Sequence, residues 1–154
     1  MKQSVQRVIA ALRAVGLDVP VTVFPTSTRT VAEAAATVGV TERQIVKSLV
    51  LIKDGGPILI LASGGNRLDL DLLGRTLGGA LRMASAEEVR AITGYAVGGV
   101  PPVGHSSGLP VYVDADLLAY EVVYAAAGTP NAAFPIDPRR LVEITGGTTT
   151  AVHP

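Results

Sequence analysis

The amino-acid sequence predicts an α+β fold with a mixed, mainly antiparallel and partly closed sheet surrounded by short helices. Two strongly apolar runs, residues 47–53 and 58–62, are separated by Asp-Gly-Gly-Pro, which predicts a tight turn and an antiparallel hairpin. Helix start and stop signals lie only a few turns apart, so the helices are short. Strands come in pairs and do not alternate regularly with helices, which argues against a parallel α/β sheet.

Six helices are predicted, most of them from a capping residue or capping box followed by a glycine that stops the helix. The first has apolar residues at helical spacing, and the last has Asp as its cap and Pro at its first position. In chain order they run from Ser4 to Gly16, from Thr30 to Gly39, for about two turns after Thr41, from Leu70 to Gly78, from Ser85 to about Thr93, and from Asp137 to Gly146.

Strands are predicted where short runs of β-branched and other apolar residues stand between turn signals. The hairpin runs are almost continuously apolar, so both of their faces should be covered. The predicted strands are residues 19–24, 47–53, 58–62, 81–83, 111–113 and 121–126, with a further apolar run at 132–136. Residues 1–147 are expected to form a single domain, and residues 148–154 a frayed, flexible tail.

Composition restricts the classes of function. The chain has 154 residues, 48% of them apolar and only 4% aromatic, which supports a full aliphatic core and argues against nucleic-acid binding by base stacking. Thirteen basic residues balance thirteen acidic ones, so binding of a polyanion would need a local basic patch. The sequence lacks cysteine and has two histidines, so we expect no metal site and no cofactor. Without a signal peptide or a membrane-length apolar run, the expected location is the cytoplasm.

The segment from Gly94 to His105, GYAVGGVPPVGH, holds four glycines and two prolines in twelve residues. Neither a helix nor a central strand tolerates that composition, so it predicts a shaped loop. Binding groups are often carried on such loops. Lys47 stands among the apolar residues of QIVKSLVL, which favours either a snorkelling side chain or a lysine held in a pocket. We expect Lys47 and the loop to face each other across one pocket.

Other polar residues allow more than one interpretation. Asn66 lies in a glycine loop and is either a turn residue or an amide that orients a ligand. His105 is either a donor to a ligand or a loop histidine satisfied within the chain. The aspartates at positions 69, 71, 114 and 116 are interpreted as caps and turn residues.

Two motifs are excluded by their context. GHSSG matches the nucleophile elbow of hydrolases, but prolines stand on both sides where that elbow needs a strand and a helix. The glycines of GYAVGG neither follow a strand nor open a helix, so they are not a dinucleotide-binding fingerprint.

Four segments together resemble the YbaK/EbsC family, whose members are related to the editing, or insertion, domain of bacterial prolyl-tRNA synthetase. These are QIVKSLVL with Lys47, the glycine loop with NRLD, TGYAVGGVPPVGH, and AAAGTPN with a closing helix. The resemblance covers nearly the whole chain, from about Val5 to Gly147.

The resemblance implies a strongly curved, barrel-like sheet and a hydrolase that removes the amino acid from mischarged tRNA in trans. It makes Lys47 the key catalytic residue, the 3′ end of aminoacyl-tRNA the partner, and prolyl-tRNA synthetase or another synthetase a candidate second partner. Substrate binding is expected from Thr30, Asn66, Gly98, Gly99, Val100, Pro101, Gly104, His105, Gly128 and Thr129.

Two departures leave the cleared amino acid open. Relatives that clear alanine usually carry Asn directly after the lysine, where this chain has Ser48. Relatives that clear cysteine usually have Gly-Ser where this chain has Gly128 and Thr129.

The mechanism expected from these residues is positioning and electrostatics. Lys47 would act as a fixed charge, N–H groups of the glycine loops would stabilise an oxyanion, and the substrate's own ribose hydroxyl would orient the water, with support from Thr30, Asn66 or His105. Two alternatives stay open: a module that binds tRNA or a synthetase without hydrolysis, and a pocket for an unrelated small molecule.

Overall fold

The computed structural model describes residues 2–24 and 30–154 of the chain. In this part, no helix is both long and apolar enough to span a bilayer. The helices are α1 (Gln3–Ala14), α2 (Val31–Val38), α3 (Leu70–Leu77), α4 (Ala86–Thr93) and α5 (Pro138–Thr145), with two 3₁₀-helices at Glu42–Gln44 and Ala115–Ala119. The strands are β1 (Thr22–Val23), β2 (Val46–Lys53), β3 (Gly56–Ser63), β4 (Leu81–Met83), β5 (Val111–Asp114), β6 (Val123–Ala126), β7 (Ala132–Ile136) and β8 (Thr148–Thr150).

The capping signals place most helices correctly. The Thr30 hydroxyl accepts from the Glu33 N–H at 3.1 Å at the start of α2, and Ser85 and Glu88 form the expected capping box of α4. Two helix starts differ from the prediction. The first helix begins at Gln3, before Ser4, and has no side-chain cap. The segment after Thr41 forms only a 3₁₀ turn, because the β-branched residues that follow it enter β2.

The predicted hairpin is confirmed and forms the centre of a five-stranded sheet. Strands β2 and β3 pair antiparallel from Val46 opposite Ser63 to Lys53 opposite Gly56. Their turn is tight because Asp54 and Gly55 both have a left-handed backbone, with φ of 49° and 85°. The order of this sheet is β4-β2-β3-β5-β8, and both β5 and β8 are parallel to their neighbours.

The expected strongly curved, barrel-like sheet is wrong. Strands β1, β7 and β6 form a separate antiparallel sheet, in that order. Within the described residues, the two sheets are joined at one bridge, between Ile45 and Tyr124. Among the described strands, β4 pairs with β2 only from Leu51 to Lys53, and β6 adds no further pairing, so the first half of β2 has an open edge on the β4 side. The two sheets therefore separate beyond the bridge and leave a wedge-shaped gap.

The core lies on both faces of the five-stranded sheet, as the continuous apolar runs predicted. On one face, the α1 residues Val5, Val8 and Leu12 pack with side chains of β2, β3 and the three-stranded sheet. On the other face, Leu73 of α3 and Val152 pack against a second cluster that includes Leu51 and Ile60. Neighbouring residues of β2 thus point to different clusters.

The end of the chain is ordered, contrary to the frayed tail predicted for residues 148–154. Thr148 to Thr150 pair in parallel with residues 112–114 of β5. The Val152 side chain is buried, and its carbonyl accepts from the Asp69 N–H at 2.8 Å. The burial of one valine and the pairing of the strand fix a segment whose composition is otherwise that of a loop.

Candidate functional site

A pocket occupies the wedge where the two sheets separate. Its cavity volume is about 220 Å³. Residues from the open half of β2, from β6 and β7, from α2 and from two loops line it. They are Phe24, Thr30, Val31, Ala34, Val38, Ile45, Val46, Lys47, Ser48, Leu49, Val97, Gly98, Val100, Tyr124, Ala125, Ala126, Pro130, Ala132 and Ala133.

Small and apolar side chains form most of the walls. Val31, Ala34 and Val38 have the spacing of one face of a helix, so α2 turns its apolar stripe to the pocket. The opposite wall carries Ala125 and Ala132 from the three-stranded sheet. A pocket of this kind accepts a largely apolar ligand, which the few polar groups would orient.

Lys47 is half-buried in β2, beside the pocket. Its ammonium donates a hydrogen bond to the main-chain carbonyl of Asn66. Burial lowers the pKa of Lys47. Attraction to Asp114 acts in the opposite direction and raises this pKa, whereas repulsion by Arg67 lowers it further. Lys47 pairs with Ala62, a member of the cluster on the α3 side, so its side chain starts on the face opposite to Ser48.

A hydrogen-bonded network continues from Lys47 to the end of the chain. The Asn66 side-chain amide donates to carboxylate oxygens of Asp114 and Asp116, both at 2.8 Å. Asp114 is buried and also accepts from the Ser63 N–H and the Asp116 N–H, both at 2.9 Å. His153 lies 3.0 Å from Asp116, and this contact lowers the pKa of Asp116 and raises that of His153.

Main-chain groups of β2 line the open edge of the sheet. The Ile45 carbonyl accepts from Gly64 on the β3 side, and the Val50 carbonyl accepts from Ala84 on the β4 side. Because this alternation continues along an antiparallel strand, Ser48 turns its N–H and carbonyl to the open edge. The Ser48 hydroxyl is also the one buried side-chain polar atom without a partner in the described part of the chain.

The Gly94–His105 loop is closed by its own side chains. The Tyr95 hydroxyl donates to the Gly104 carbonyl at 2.7 Å, and Nε2 of His105 lies 2.6 Å from the Pro101 carbonyl. A carbonyl can only accept, so Nε2 of His105 carries the proton. Burial lowers the pKa of His105, which favours the neutral ring. Arg7 from α1 lies over the Tyr95 ring at 4.6 Å and holds the loop against the helix.

The loop is fixed on the loop that follows β6. The Gly128 N–H donates to the Gly99 carbonyl at 3.0 Å, and the Gly99 N–H donates to the Ala96 carbonyl at 3.0 Å. A Cβ atom on Gly99 would lie 2.8 Å from the main chain of Thr129. The two backbones therefore meet closely only because position 99 has no side chain.

The predicted site residues divide into two groups. Thr30, Lys47, Gly98 and Val100 line the pocket, so Lys47 and the glycine loop do contribute to one cavity. The others stand outside its lining, in the loop contacts or in the network beyond Lys47: Asn66, Gly99, Pro101, Gly104, His105, Gly128 and Thr129.

Sequence reasoning missed the α2 wall and the alanines of β6 and β7. The helical spacing of Val31, Ala34 and Val38 is a signal that could have identified the α2 wall. The alanines carry no such signal, since alanine is common in any core.

Comparison with known families gives an independent line of information. The model of the family described as the aminoacyl-tRNA editing domain matches residues 26–144. The uncharacterized protein YwhH of Bacillus subtilis strain 168 is 40% identical over 124 residues, which are 80% of this chain and 79% of YwhH.

Two further relatives have names that refer to editing. EbsC of Enterococcus faecalis, a candidate Cys-tRNA(Pro)/Cys-tRNA(Cys) deacylase, is 28% identical over 115 residues, covering 73% of this chain and 70% of EbsC. The crystal structure of a candidate trans-editing enzyme for prolyl-tRNA synthetase has a TM-score of 0.95 and 48% identity, and the match covers 100% of this chain and 99% of that one.

Proposed function

Since the chain belongs to the aminoacyl-tRNA editing domain family, we propose that it is a trans-editing hydrolase that cleaves the aminoacyl ester at the 3′ end of mischarged tRNA. The observation that carries this proposal is the position of the pocket. All of its lining residues except Phe24 fall within the range that the family model matches.

The pocket suits the end of an aminoacyl-tRNA. Its alanine and valine walls accept the apolar parts of the aminoacyl group and the terminal adenosine. The open edge of β2 offers a main-chain donor and acceptor at Ser48, which can orient the ester as a neighbouring strand would. Arg43 and Arg67 are exposed near the network around Lys47 and offer two cations for phosphates, beside the carboxylates of Asp114 and Asp116.

Lys47 supplies a fixed positive charge beside the scissile ester or a neighbouring phosphate. Water adds to the ester carbonyl, the bond to the ribose oxygen breaks, and that oxygen takes a proton from the water, so the products are the free amino acid and tRNA. An ester is already activated, and orientation of the reactants contributes several kcal/mol without a protein base.

The N–H groups of Gly99 and Gly128 already donate to main-chain carbonyls, which argues against them as oxyanion donors. The N–H of Ser48 on the open edge takes this role in the proposal, because it lies in the lining beside Lys47. One such donor contributes about 100-fold to 1000-fold in rate. Gly99 and Gly128 instead position the wall that carries Gly98 and Val100.

A second candidate is binding of tRNA or a synthetase without hydrolysis. The engagement of the Lys47 ammonium with the Asn66 carbonyl favours it, because a lysine tied within the chain is less free to act on a substrate.

A deacylation panel separates the two candidates. Purified protein is tested against tRNA charged with alanine, cysteine, serine, threonine and proline, with and without prolyl-tRNA synthetase. We expect hydrolysis of one or a few substrates and at least a 100-fold loss in Lys47→Ala. Lys53→Ala, at the far end of the same strand and on the same face, is the matched control and should keep wild-type activity. Equal rates for Lys47→Ala and wild type would refute the role of Lys47, and no hydrolysis by wild type would favour the binding module.

A further inference from the structure

Lys47 is held by groups that lie far away in sequence. Its ammonium donates to the Asn66 carbonyl, and the Asn66 side chain is itself fixed by two carboxylates. Both distances of 2.8 Å are those of charge-assisted hydrogen bonds. The position of the acceptor that Lys47 uses is thus set by Asp114 and Asp116, together with the Ser63 carbonyl, which accepts from the Asn66 N–H at 2.9 Å.

Asp114 is the centre of this arrangement. It is 1% exposed, and its two oxygens accept three N–H groups, from Ser63, Asn66 and Asp116. These three donors hold the carboxylate in one orientation. Its negative charge faces Lys47 and favours the charged form of the ammonium.

We infer that Asp114 and Asn66 are positioning residues that keep the Lys47 ammonium charged and fixed beside the pocket. The other charged and titratable groups around it are Arg67 next to Asn66, Arg43 before β2, Asp116 on the 3₁₀-helix, and His153 from the end of the chain. The inference rests on the proposed function only in taking Lys47 as the group that acts on the substrate.

The direct test is a titration of Lys47 by NMR in the full chain labelled with ¹³C-lysine. The sequence has three lysines, at positions 2, 47 and 53, so Lys47→Arg assigns the signal. We expect Asp114→Asn to move the titration of Lys47 to lower pH, because the opposing charge is lost while burial remains. An unchanged titration would overturn the inference.

Asp137→Asn is the matched control. Asp137 caps α5, and its carboxylate accepts a hydrogen bond of 2.9 Å from the N–H two residues later. Asp114 makes the same local contact, also at 2.9 Å. In the described part of the chain, Asp137 makes none of the hydrogen bonds of the network, so its variant should lose a cap and leave the Lys47 titration in place. A shift of equal size in both variants would count against the inference.

Asn66→Ala keeps the test valid should Asp114→Asn fail to fold. This variant removes the amide and its bonds to the two carboxylates, so the main-chain carbonyl is held only through the bond of the residue 66 N–H to the Ser63 carbonyl. The Lys47 titration should again move to lower pH, and kcat should fall by about 10-fold to 100-fold with KM within about twofold, since a displacement of about 1 Å can cost 100-fold in rate. Unchanged kcat in an active enzyme would refute the positioning role.

The two proposals can fail separately. If wild type hydrolyses no charged tRNA, the proposed function fails while the titration still decides the inference. If Lys47→Ala abolishes activity but neither network variant moves the titration, the inference fails and the proposed function stands.

Discussion

Ser48 has a side chain whose hydrogen-bonding capacity is not used in the described part of the chain. Its hydroxyl is buried and has no hydrogen-bond partner among the described residues, and Ser48 lies in the pocket lining directly after Lys47. An unpaired buried hydroxyl costs about 1–3 kcal/mol. On the facing strand, Ser63 is also buried, but its hydroxyl donates to the Arg43 carbonyl at 2.7 Å. Comparing Ser48 with Ser63 therefore shows what a missing hydrogen-bond partner does to the stability contributed by a buried serine hydroxyl.

We expect Ser48→Ala to raise the free energy of unfolding by about 1 kcal/mol, because it removes an unsatisfied group. Ser63→Ala, the control, should lower it by about 1 kcal/mol, because it breaks a hydrogen bond. Urea denaturation of both variants measures this difference. A clear loss of stability in Ser48→Ala would show that the hydroxyl has a partner in solution.

Among single residues, the sequence predicted Lys47 and Asn66 as site residues, but not the carboxylates that hold Asn66. A lysine among apolar neighbours is a local signal. Asp114 was interpreted as a turn residue, and it does accept from the Asp116 N–H, but its contact with Asn66 spans 48 positions. One sequence without a fold cannot bring two such loops together.

The Gly94–His105 loop is an element built by close contacts within itself and with the loop after β6. Tyr95 and His105 close it, and Gly99 packs on the main chain of Thr129. The composition of this loop predicted that it was neither helix nor strand, and this prediction is confirmed. Its contact with Thr129 was not predictable, because it depends on where β6 and β7 place their connection.

Gly99→Ala should destabilise the protein by about 1–3 kcal/mol, because the new methyl group would force two backbones apart. It should also reduce deacylation, since Gly98 and Val100 move with the loop. Gly108→Ala is the control in the same region, because an added Cβ there meets no atom within 4 Å. Denaturation and activity of both variants test this, and equal stability of the two would contradict the close contact.

Local signals determined how well the other elements were predicted. Capping residues and Gly stops are read within four or five positions, so α2 to α5 were found nearly to the residue. Strand β8 was missed because three threonines are a weak apolar signal and its partner β5 lies more than 30 positions away. The barrel that the resemblance implied is wrong, because among the described residues the two sheets are joined only at the bridge between Ile45 and Tyr124.

The whole molecule consists of two sheets joined at one bridge, with the pocket in the gap and the end of the chain bound to the network around Lys47. His153 makes the outermost contact of that network, with Asp116. Through Asp116 and Asn66, the last residues of the chain thus contribute to the surroundings of the site. Removing residues 148–154 would therefore remove both the pairing of β8 with β5 and the contact of His153 with Asp116.

The contribution of His153 to stability should depend on pH. Contact with Asp116 raises the pKa of His153 in the folded state, so its stabilisation is present below the ordinary pKa of 6.5 and is lost as the pH rises through the raised value. Asp116 has a lowered pKa and stays ionised at pH 5.5. We expect His153→Ala to lower Tm more at pH 5.5 than at pH 8.5, as measured by thermal unfolding. An equal decrease at both values would mean that the charge of His153 does not matter.

The wedge has a consequence for how this protein can diverge. Ala34, Ala126 and Ala133 line the pocket, yet they belong to neither core cluster. A larger side chain at one of them would narrow the cavity without repacking the hairpin or α1. If the proposed function holds, single mutations at these alanines would change which substrates fit the pocket and leave folding intact.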